Sequence, residues 1–398
     1  MEILRNLFEM TAFGPLFQSP ETILMIVIGA FLLYLGIVKG YEPLLLVPIG
    51  FGVILANSLG GEMGVVSNDE IMHMSLLEIA KNYGIMNLLY YSLIKTGLLP
   101  PIIFMGVGAL TDFGPMLRNL KLAFFGAAAQ IGIFLVLFLA IAVGFDIKEA
   151  ASLAIIGGAD GPTAIYTTIK LAPHLLGPIA IAAYSYMALV PVIIPFVVRL
   201  TTSKKELKIN MKEQDKLYPS KKPIKNIKAM KILFPLMMGG IVAVLVPSAV
   251  PLVGMLLFGN LVKEIGNPTE RLHKAASGGI LNTATIFLGL TVGGTMTASA
   301  FLNAQTMMII VGGFIAFCFS VAGGIYAVKV HNLFVKKKIN PLIGATGLSA
   351  VPMASRVANE LALEHDPSNH LLQYAMASNI SGVIGSAVAA GVLISFLS

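Results

Sequence analysis

The fold is decided by two glycine-broken stretches, AASLAIIGGADGPTAIYTTIKL (150–171) and NPLIGATGLSAVPMASRVANEL (340–361). Both are too polar at their centres for ordinary membrane-spanning helices. Irregular backbone at membrane depth is tolerated only where protein buries it or where it lines a cavity. We therefore predict two re-entrant hairpins, at about 149–171 and 340–361, each built of two half-helices around an unwound centre.

The rest of the chain is strongly apolar, and this sets its class. Of its 398 residues, 56% are hydrophobic and 12% are charged, and the mean hydropathy is +0.85. Soluble domains carry roughly 25% charged residues, and here the apolar residues come in runs of about 15 to 25, long enough to cross a bilayer. This composition excludes a soluble enzyme, a nucleic-acid-binding domain and a disulfide scaffold. It predicts an all-α, polytopic protein of the lipid bilayer.

Spanning helices are predicted in two sets of five. The first set lies at about 22–38, 42–57, 85–108, 121–144 and 176–200, and the second at about 231–247, 249–264, 275–296, 305–328 and 370–397. Between the sets, residues 203–231 contain ten Lys and three acids, which indicates a cytoplasmic linker. The predicted organisation is an amphipathic N-terminal segment (1–20), a first half (21–200), a linker (201–230) and a second half (231–398).

Topology follows from the basic residues, because Lys and Arg concentrate in cytoplasmic loops. Those placed in the cytoplasm, besides the linker, are Lys39, Arg118, Lys121, Lys263, Arg271, Lys274, Lys329 and 336–338. The acidic loop 58–83 and both chain ends are then predicted on the outer side of the cell (inner) membrane. With this topology the first hairpin enters from outside and the second from the cytoplasm, so the halves are predicted to be inverted repeats.

Similarity between the halves supports the repeat. The paired segments are FMGVGALTDFGPML (104–117) with FLGLTVGGTMTASAFL (287–302), LAFFGAAAQIGIFLVLFLAIAVG (122–144) with MMIIVGGFIAFCFSVAGGIYAV (307–328), and GGADGPTAIY (157–166) with IGATGLSAVP (343–352). Membrane helices rich in small residues also resemble one another by composition, but matching order and spacing favour a true repeat. Inverted repeats bind substrates and coupling ions near the midplane, on their discontinuous helices.

Asp160 lies at the broken centre of the first hairpin, whereas nearly every other acid lies in a loop or at the edge of a span. An ionisable group at that depth is costly and indicates function. Its carboxylate, freed carbonyls and the hydroxyls of Thr163 and Thr167 would form an all-oxygen site for a hard cation. A single carboxylate favours a monovalent ion such as Na⁺. The alternative is a structural role, in which Asp160 caps the second half-helix.

The second hairpin adds oxygen donors but no second carboxylate. The predicted Na⁺ ligands are Asp160, Thr163, Asn282, Asn340, Gly344 and Ser349. Arg356 is expected to hold an anionic substrate or to balance Asp160, unless it snorkels outward from a cytoplasmic edge. Tyr186 is either an interfacial anchor or a proton donor within the bundle.

The hairpin motifs GGADGPTAIYTT (157–168) and NPLIGATGLSAVPMASRVANE (340–360) resemble those of a known family. It comprises the integral membrane β subunits of the sodium-pumping, biotin-dependent decarboxylases, which act on oxaloacetate, methylmalonyl-CoA, glutaconyl-CoA or malonate. The resemblance extends over NTATIFLGL (282–290) and FMGVGALTDFGP (104–115), and covers the chain from about residue 20. It implies a carboxybiotin decarboxylase that exports Na⁺ from the cytoplasm.

The resemblance also implies roles and partners. Asp160 would bind Na⁺ and couple its transport, Arg356 would bind carboxybiotin, and Tyr186 would assist catalysis, with Asn340, Gly344 and Ser349 also implicated. A carboxyltransferase α subunit would load biotin, and a biotin carrier subunit or domain would bring carboxybiotin to the cytoplasmic face. A small single-span membrane subunit would complete an oligomeric complex. No biotin is expected on this chain.

Two other functions are compatible with the fold. A Na⁺-coupled secondary transporter of a carboxylate, with no catalytic activity, could share the inverted architecture, because a fold does not determine a function. A non-catalytic membrane anchor for a soluble complex leaves the intramembrane Asp160 and Arg356 unexplained.

Overall fold

A computed structural model describes residues 19–58, 63–66, 71, 73–218, 226–350 and 352–398. Within these ranges every regular element is a helix. The predicted amphipathic segment 1–20 lies outside the described residues, except for Ser19 and Pro20, where the first helix begins.

The helices of the first half are α1 (Pro20–Ile37), α2 (Pro43–Ala56), α3 (Leu76–Leu89), α4 (Leu99–Leu110), α5 (Leu120–Val143), α6 (Ile147–Ala154), α7 (Gly161–Leu171), α8 (Leu176–Ala188) and α9 (Val190–Thr201). Those of the second half are α10 (Ile227–Leu245), α11 (Val250–Ile265), α12 (Leu281–Gly294), α13 (Ala304–Phe334), α14 (Leu342–Ala345), α15 (Met353–His365) and α16 (Leu372–Leu397). Short helical turns connect several of them.

The apolar helices confirm a polytopic membrane protein. In the described part of the chain, seven helices are long and apolar enough to cross a membrane, where α11 and α12 are counted together with the helical turns before them, as Pro247–Ile265 and Asn267–Gly294. The pairs α3–α4 and α8–α9 reach that length only together, each with a bend of 70°, and α2 is a shorter apolar helix. These segments coincide with the predicted spans.

The two bends were not predicted, because regions 85–108 and 176–200 were each interpreted as one span. The first bend follows Gly97, whose φ of 77° lies in the left-handed region that favours glycine. Pro100 and Pro101 then stand in the first turn of α4, where a missing N–H is tolerated. Pro191 likewise stands in the first turn of α9. These residues end one helix and begin the next.

The two halves pack against each other reciprocally. The helix α2 lies against α12, and α11 lies against α4. Asn57, just after α2, donates to the Met296 carbonyl at 2.7 Å, and Asn260, in α11, donates to the Thr111 carbonyl at 2.8 Å. Each asparagine therefore holds the loop that follows the third span of the opposite half.

The two hairpins, α6–α7 and α14–α15, approach each other from opposite ends of α13. In order along α13, the contacts are Leu153 with Gly312, Gly157 with Ser320, Gly344 with Gly324, and Ile339 with Asn332. The hairpin tips therefore meet beside the middle of this long helix. The first hairpin begins slightly earlier than predicted, at Ile147, and the second ends later, at His365.

The predicted linker is fastened to the base of the second hairpin. It forms two short helices, Lys204–Leu207 and Met211–Leu217. Asn340 Nδ2 donates to the carbonyls of Leu207 and Ile209 at 2.9 and 3.0 Å. Lys337 pairs with Asp215 at 2.6 Å. This part of the linker therefore packs as an element of the second half.

Candidate functional site

The candidate site lies where the two hairpin tips meet. The Ser349 N–H donates to the Gly158 carbonyl at 2.9 Å, and Ser349 Oγ donates to Asp160 Oδ2 at 2.8 Å. Asp160 and Ser349 are 189 positions apart in the sequence. Both are predicted site residues, and the fold brings them into direct contact.

The first tip owes its shape to two consecutive residues, Ala159 and Asp160. Ala159, with φ 53°, turns the chain between the 3₁₀ turn Ile155–Gly158 and α7. Asp160 then caps α7, since its Oδ1 accepts the Thr163 N–H at 3.2 Å. The predicted capping role is therefore present. It does not compete with ion binding, because Oδ2 points to the other hairpin and the positive end of α7 stabilises negative charge.

The Asp160 carboxylate is buried, with an exposed fraction of 3%. Besides Ser349, its Oδ2 accepts a hydrogen bond from Ser386 Oγ of α16 at 3.0 Å. Asp160 forms no salt bridge with a described Lys, Arg or His. A buried carboxylate held only by neutral donors is costly, and a bound cation would offset that cost.

Four buried oxygens around the first tip lack a hydrogen-bond partner in the described part of the chain. They are Gln130 Oε1, Thr163 Oγ1, Tyr184 OH and Ser320 Oγ. The Tyr184 ring packs on Gly161, the residue that follows Asp160. Ser320 Oγ lies 3.0 Å from the position of a Cβ on Gly157. Orphaned buried acceptors are rare in proteins, and oxygens of this kind are the ligands of hard cations.

The donor set fits a monovalent cation. Among the described residues no group of three or more His, Cys, Asp or Glu side chains could hold a metal ion. The tip therefore offers one carboxylate, from Asp160, surrounded by hydroxyl and amide oxygens. Such a donor set can hold Na⁺, and the Na⁺ site stays a prediction.

The other three predicted ligands are not bonded to Asp160 or Ser349. Asn340 holds the linker through Nδ2, and its Oδ1 accepts the Leu342 N–H at 3.0 Å. Gly344 lets the second hairpin touch α13, since a Cβ there would lie 2.0 Å from the Gly324 carbonyl oxygen. Asn282 is exposed on α12. The fold joins Asp160, Thr163 and Ser349, but no hydrogen bond links these to Asn282 or Asn340.

Arg356 lies in the first turns of α15 and is exposed. It has no ion pair within 4.0 Å with any described acid. Its charge acts on Glu42, in the turn between α1 and α2: burial raises the pKa of the Glu42 carboxyl, and the charge of Arg356 opposes that rise. The guanidinium is thus available to an incoming anion. Tyr186 donates its hydroxyl to the Ile310 carbonyl instead of contacting Asp160.

The sequence prediction missed three residues that hold the tips. Ser386 binds Asp160, and Gln130 Nε2 donates to the Gly347 carbonyl at 3.1 Å. Asn379 donates to the Leu348 carbonyl and accepts from Ser355 Oγ. Each is a polar residue inside a predominantly apolar span, which is a usable signal for function.

Apolar spans around two opposed hairpins, with a buried carboxylate where the tips meet, are typical of ion-translocating membrane proteins. Residues 21–397 match the family described as the Na⁺-transporting oxaloacetate decarboxylase beta subunit. The chain belongs to this family.

Curated relatives agree over nearly the whole chain. The methylmalonyl-CoA decarboxylase subunit beta of Propionigenium modestum is 46% identical, with 99% of each chain covered. The oxaloacetate decarboxylase beta chain of Klebsiella pneumoniae is 42% identical over 100% of this chain and 99% of its own length. The glutaconyl-CoA decarboxylase subunit beta of Acidaminococcus fermentans is 46% identical, covering 94% and 92%. The predicted resemblance is confirmed, and the chain is a decarboxylase component of a Na⁺-translocating complex.

Proposed function

We propose that this subunit decarboxylates carboxybiotin and uses the reaction to export Na⁺ from the cytoplasm. The observation that carries the ion-binding part is the buried Asp160 carboxylate, bonded across the hairpin tips to Ser349. Family membership favours this function over the passive carboxylate transporter, because the similar relatives are named as decarboxylase subunits.

The acyl substrate is selected outside this chain. Relatives named for methylmalonyl-CoA, oxaloacetate and glutaconyl-CoA decarboxylases are 46%, 42% and 46% identical to it. If this chain recognised one particular acid, it would be more similar to the relatives named for that acid than to the others. The shared intermediate is carboxybiotin, loaded by a carboxyltransferase α subunit and delivered by a biotin carrier, with no biotin on this chain. A small single-span subunit completes the complex in the inner membrane.

Na⁺ is the transported substrate, and the two hairpins supply its ligands jointly. Asp160 and Thr163 come from the first hairpin and Ser349 from the second. A movement of one tip relative to the other therefore brings the Na⁺ ligands together or separates them. Asn340 and Gly344 act by holding the second hairpin on the linker and on α13. The reciprocal contacts of Asn57 and Asn260 support the inverted repeat, an architecture that provides alternating access.

Arg356 and Tyr186 serve the chemistry. The exposed Arg356 guanidinium holds the carboxylate of carboxybiotin arriving from the cytoplasm. When the nitrogen–carboxyl bond breaks, CO₂ leaves and the electron pair stays on the biotin nitrogen, which takes up one proton. That proton enters by way of Asp160 or Tyr186 as Na⁺ departs. Moving one Na⁺ against 100 mV costs about 2.3 kcal/mol, which decarboxylation is expected to supply.

Asp160→Asn in the complete complex, reconstituted in vesicles, tests this function. Asparagine is also a good helix N-cap, so the substitution removes the charge and keeps the cap. Losing one charged contact costs about 1.5–3 kcal/mol, so the Na⁺ concentration for half-maximal decarboxylation should rise about tenfold or more. The measurements are CO₂ release from carboxybiotin and uptake of radioactive Na⁺.

The matched control is Asp146→Asn. Asp146 caps α6 at its exposed start, where Oδ2 accepts the Lys148 N–H at 3.0 Å, and both measurements should stay at the wild-type level. Wild-type behaviour of Asp160→Asn would overturn the role of Asp160. Na⁺ uptake with no CO₂ release from carboxybiotin, in the unmodified complex, would instead identify a passive transporter.

A further inference from the structure

We infer that Gln130 is a positioning residue of the ion site: its amide nitrogen holds the second hairpin tip, and its amide oxygen faces the first tip as a further neutral ligand for the cation. This inference rests on the proposed function. It adds to the site a residue of the membrane span α5, which lies outside the two hairpins.

Gln130 lies near the middle of α5, between the helical stretches Leu120–Ala129 and Ile131–Val143. Its exposed fraction is 6%, and its neighbours in the span are apolar or glycine. An amide at this depth is costly unless its polar atoms are used. The contacts of the side chain show how each end of the amide is employed.

The amide nitrogen is committed to backbone carbonyls. Nε2 donates to Gly126 and Gly347 at 3.1 Å, and to Gly382 at 3.5 Å. All three partners are acceptors only, so the end of the amide that faces them has to be the NH₂ group. Gly347 is two residues before Ser349. Gln130 therefore anchors the segment of the second tip from which Ser349 reaches Asp160.

The amide oxygen is left facing the first tip. Oε1 has no hydrogen-bond partner among the residues the structure describes. It lies 3.7 Å from the position of a Cβ on Gly158, and the Cβ of Ser386 lies 2.9 Å from that same position. Gly158 accepts the Ser349 N–H and Ser386 binds Asp160. The free oxygen is thus beside two groups that hold the tip together.

A cation bound at Asp160 provides the partner that this oxygen lacks. Neutral amide and hydroxyl oxygens are ordinary ligands of hard cations, either directly or through an ordered water. A residue that only filled space would need no amide here. The geometry therefore predicts an effect on cation affinity and preference that is separate from maximal rate.

Gln130→Met in the complete reconstituted complex tests the inference, because methionine has a similar length and no amide. Decarboxylation is measured against Na⁺ and Li⁺ concentration. We expect the half-saturating Na⁺ concentration to rise about tenfold, the Na⁺-to-Li⁺ preference to change, and the rate at saturating Na⁺ to be largely retained. Gln130→Asn, which keeps an amide one methylene shorter, should shift the Na⁺ requirement in the same direction if Gln130→Met fails to assemble.

Ser381→Ala is the matched control, since Ser381 Oγ donates to the Ala123 carbonyl at 2.6 Å across the same interface of α5 and α16. Its Na⁺ requirement should equal that of the wild type. An unchanged Na⁺ requirement and cation preference in the Gln130 variants would overturn the inference, even if their maximal rate fell. A wild-type complex without Na⁺-stimulated decarboxylation would refute the proposed function itself.

Discussion

Asp160 receives hydrogen bonds from three different elements: Thr163 of α7, Ser349 of the second hairpin and Ser386 of α16. All three donors are neutral, so they orient the carboxylate without cancelling its charge. A lysine or arginine in their place would compete with a cation for the same oxygens. At the scale of single residues, the charge of the carboxylate is thus left for a cation or a proton to neutralise.

Two tyrosines of α8 are expected to have separable roles. Tyr184 packs on Gly161, next to Asp160, and its hydroxyl has no hydrogen-bond partner among the residues that the structure describes, whereas Tyr186 is bonded to the Ile310 carbonyl. Tyr184→Phe should raise the Na⁺ requirement several-fold and leave the maximal rate nearly unchanged. Tyr186→Phe should lower the maximal rate by a factor on the order of 10², as expected for loss of a proton donor, with the Na⁺ requirement unchanged. Rates measured across Na⁺ concentrations decide, and identical behaviour of the two variants would contradict the separation.

Elements meet at this site through backbone contact. The second hairpin docks on α13 at a glycine pair, because a Cβ on Gly344 or on Gly324 would lie about 2 Å from the other's carbonyl oxygen. Such contact leaves no room for a side chain. The position of Ser349 therefore depends on how closely the two backbones approach.

Gly344→Ala should separate the second hairpin from α13. Overpacking typically costs about 1–3 kcal/mol, so we expect a lower thermal unfolding temperature of the purified complex and weaker Na⁺ activation. Gly240→Ala in α10 is the control, because a Cβ there has no neighbour within 4 Å and alanine favours the helix by up to about 1 kcal/mol. Equal stability of the two variants would show that the glycine contact is not tight.

The whole molecule is held together by contacts that cross between the halves. The reciprocal pairs α2–α12 and α11–α4 form a frame, while the hairpins meet beside α13. Asn57 and Asn260 occupy corresponding places in this frame. We expect the frame to determine stability and the hairpin tips to determine ion affinity.

Asn57→Ala and Asn260→Ala test this division. Each removes a buried hydrogen bond to the loop of the opposite half, which should cost about 1–3 kcal/mol and lower the thermal unfolding temperature. The Na⁺ requirement of the remaining folded complex should be unchanged. Ser58→Ala, which removes an exposed hydrogen bond from just beyond α2 back to the Ile54 carbonyl, should alter neither quantity. A shifted Na⁺ requirement at full stability would contradict the separation of frame and site.

Sequence patterns alone predict the membrane class, the positions of the spans, both hairpins and the place of Asp160 at the centre of the first hairpin. These features are local, because hydropathy, glycine breaks and a lone buried acid are visible within about 20 residues. The bends at Gly97 and before Pro191 were visible in principle but do not interrupt the hydropathy, so they were missed.

The tertiary structure was needed to identify which residues share the site. The tips meet because both hairpins pack along α13, and the contacts of Asp160 with Ser349 and Ser386 span 189 and 226 positions. The fold bonds Asn340 to the linker. It also places Gln130, Ser386 and Asn379 against the hairpin tips. Such pairings arise from the packing of whole helices, and no local pattern specifies them, because a polar residue in a span has the same sequence signature whichever neighbour it finds.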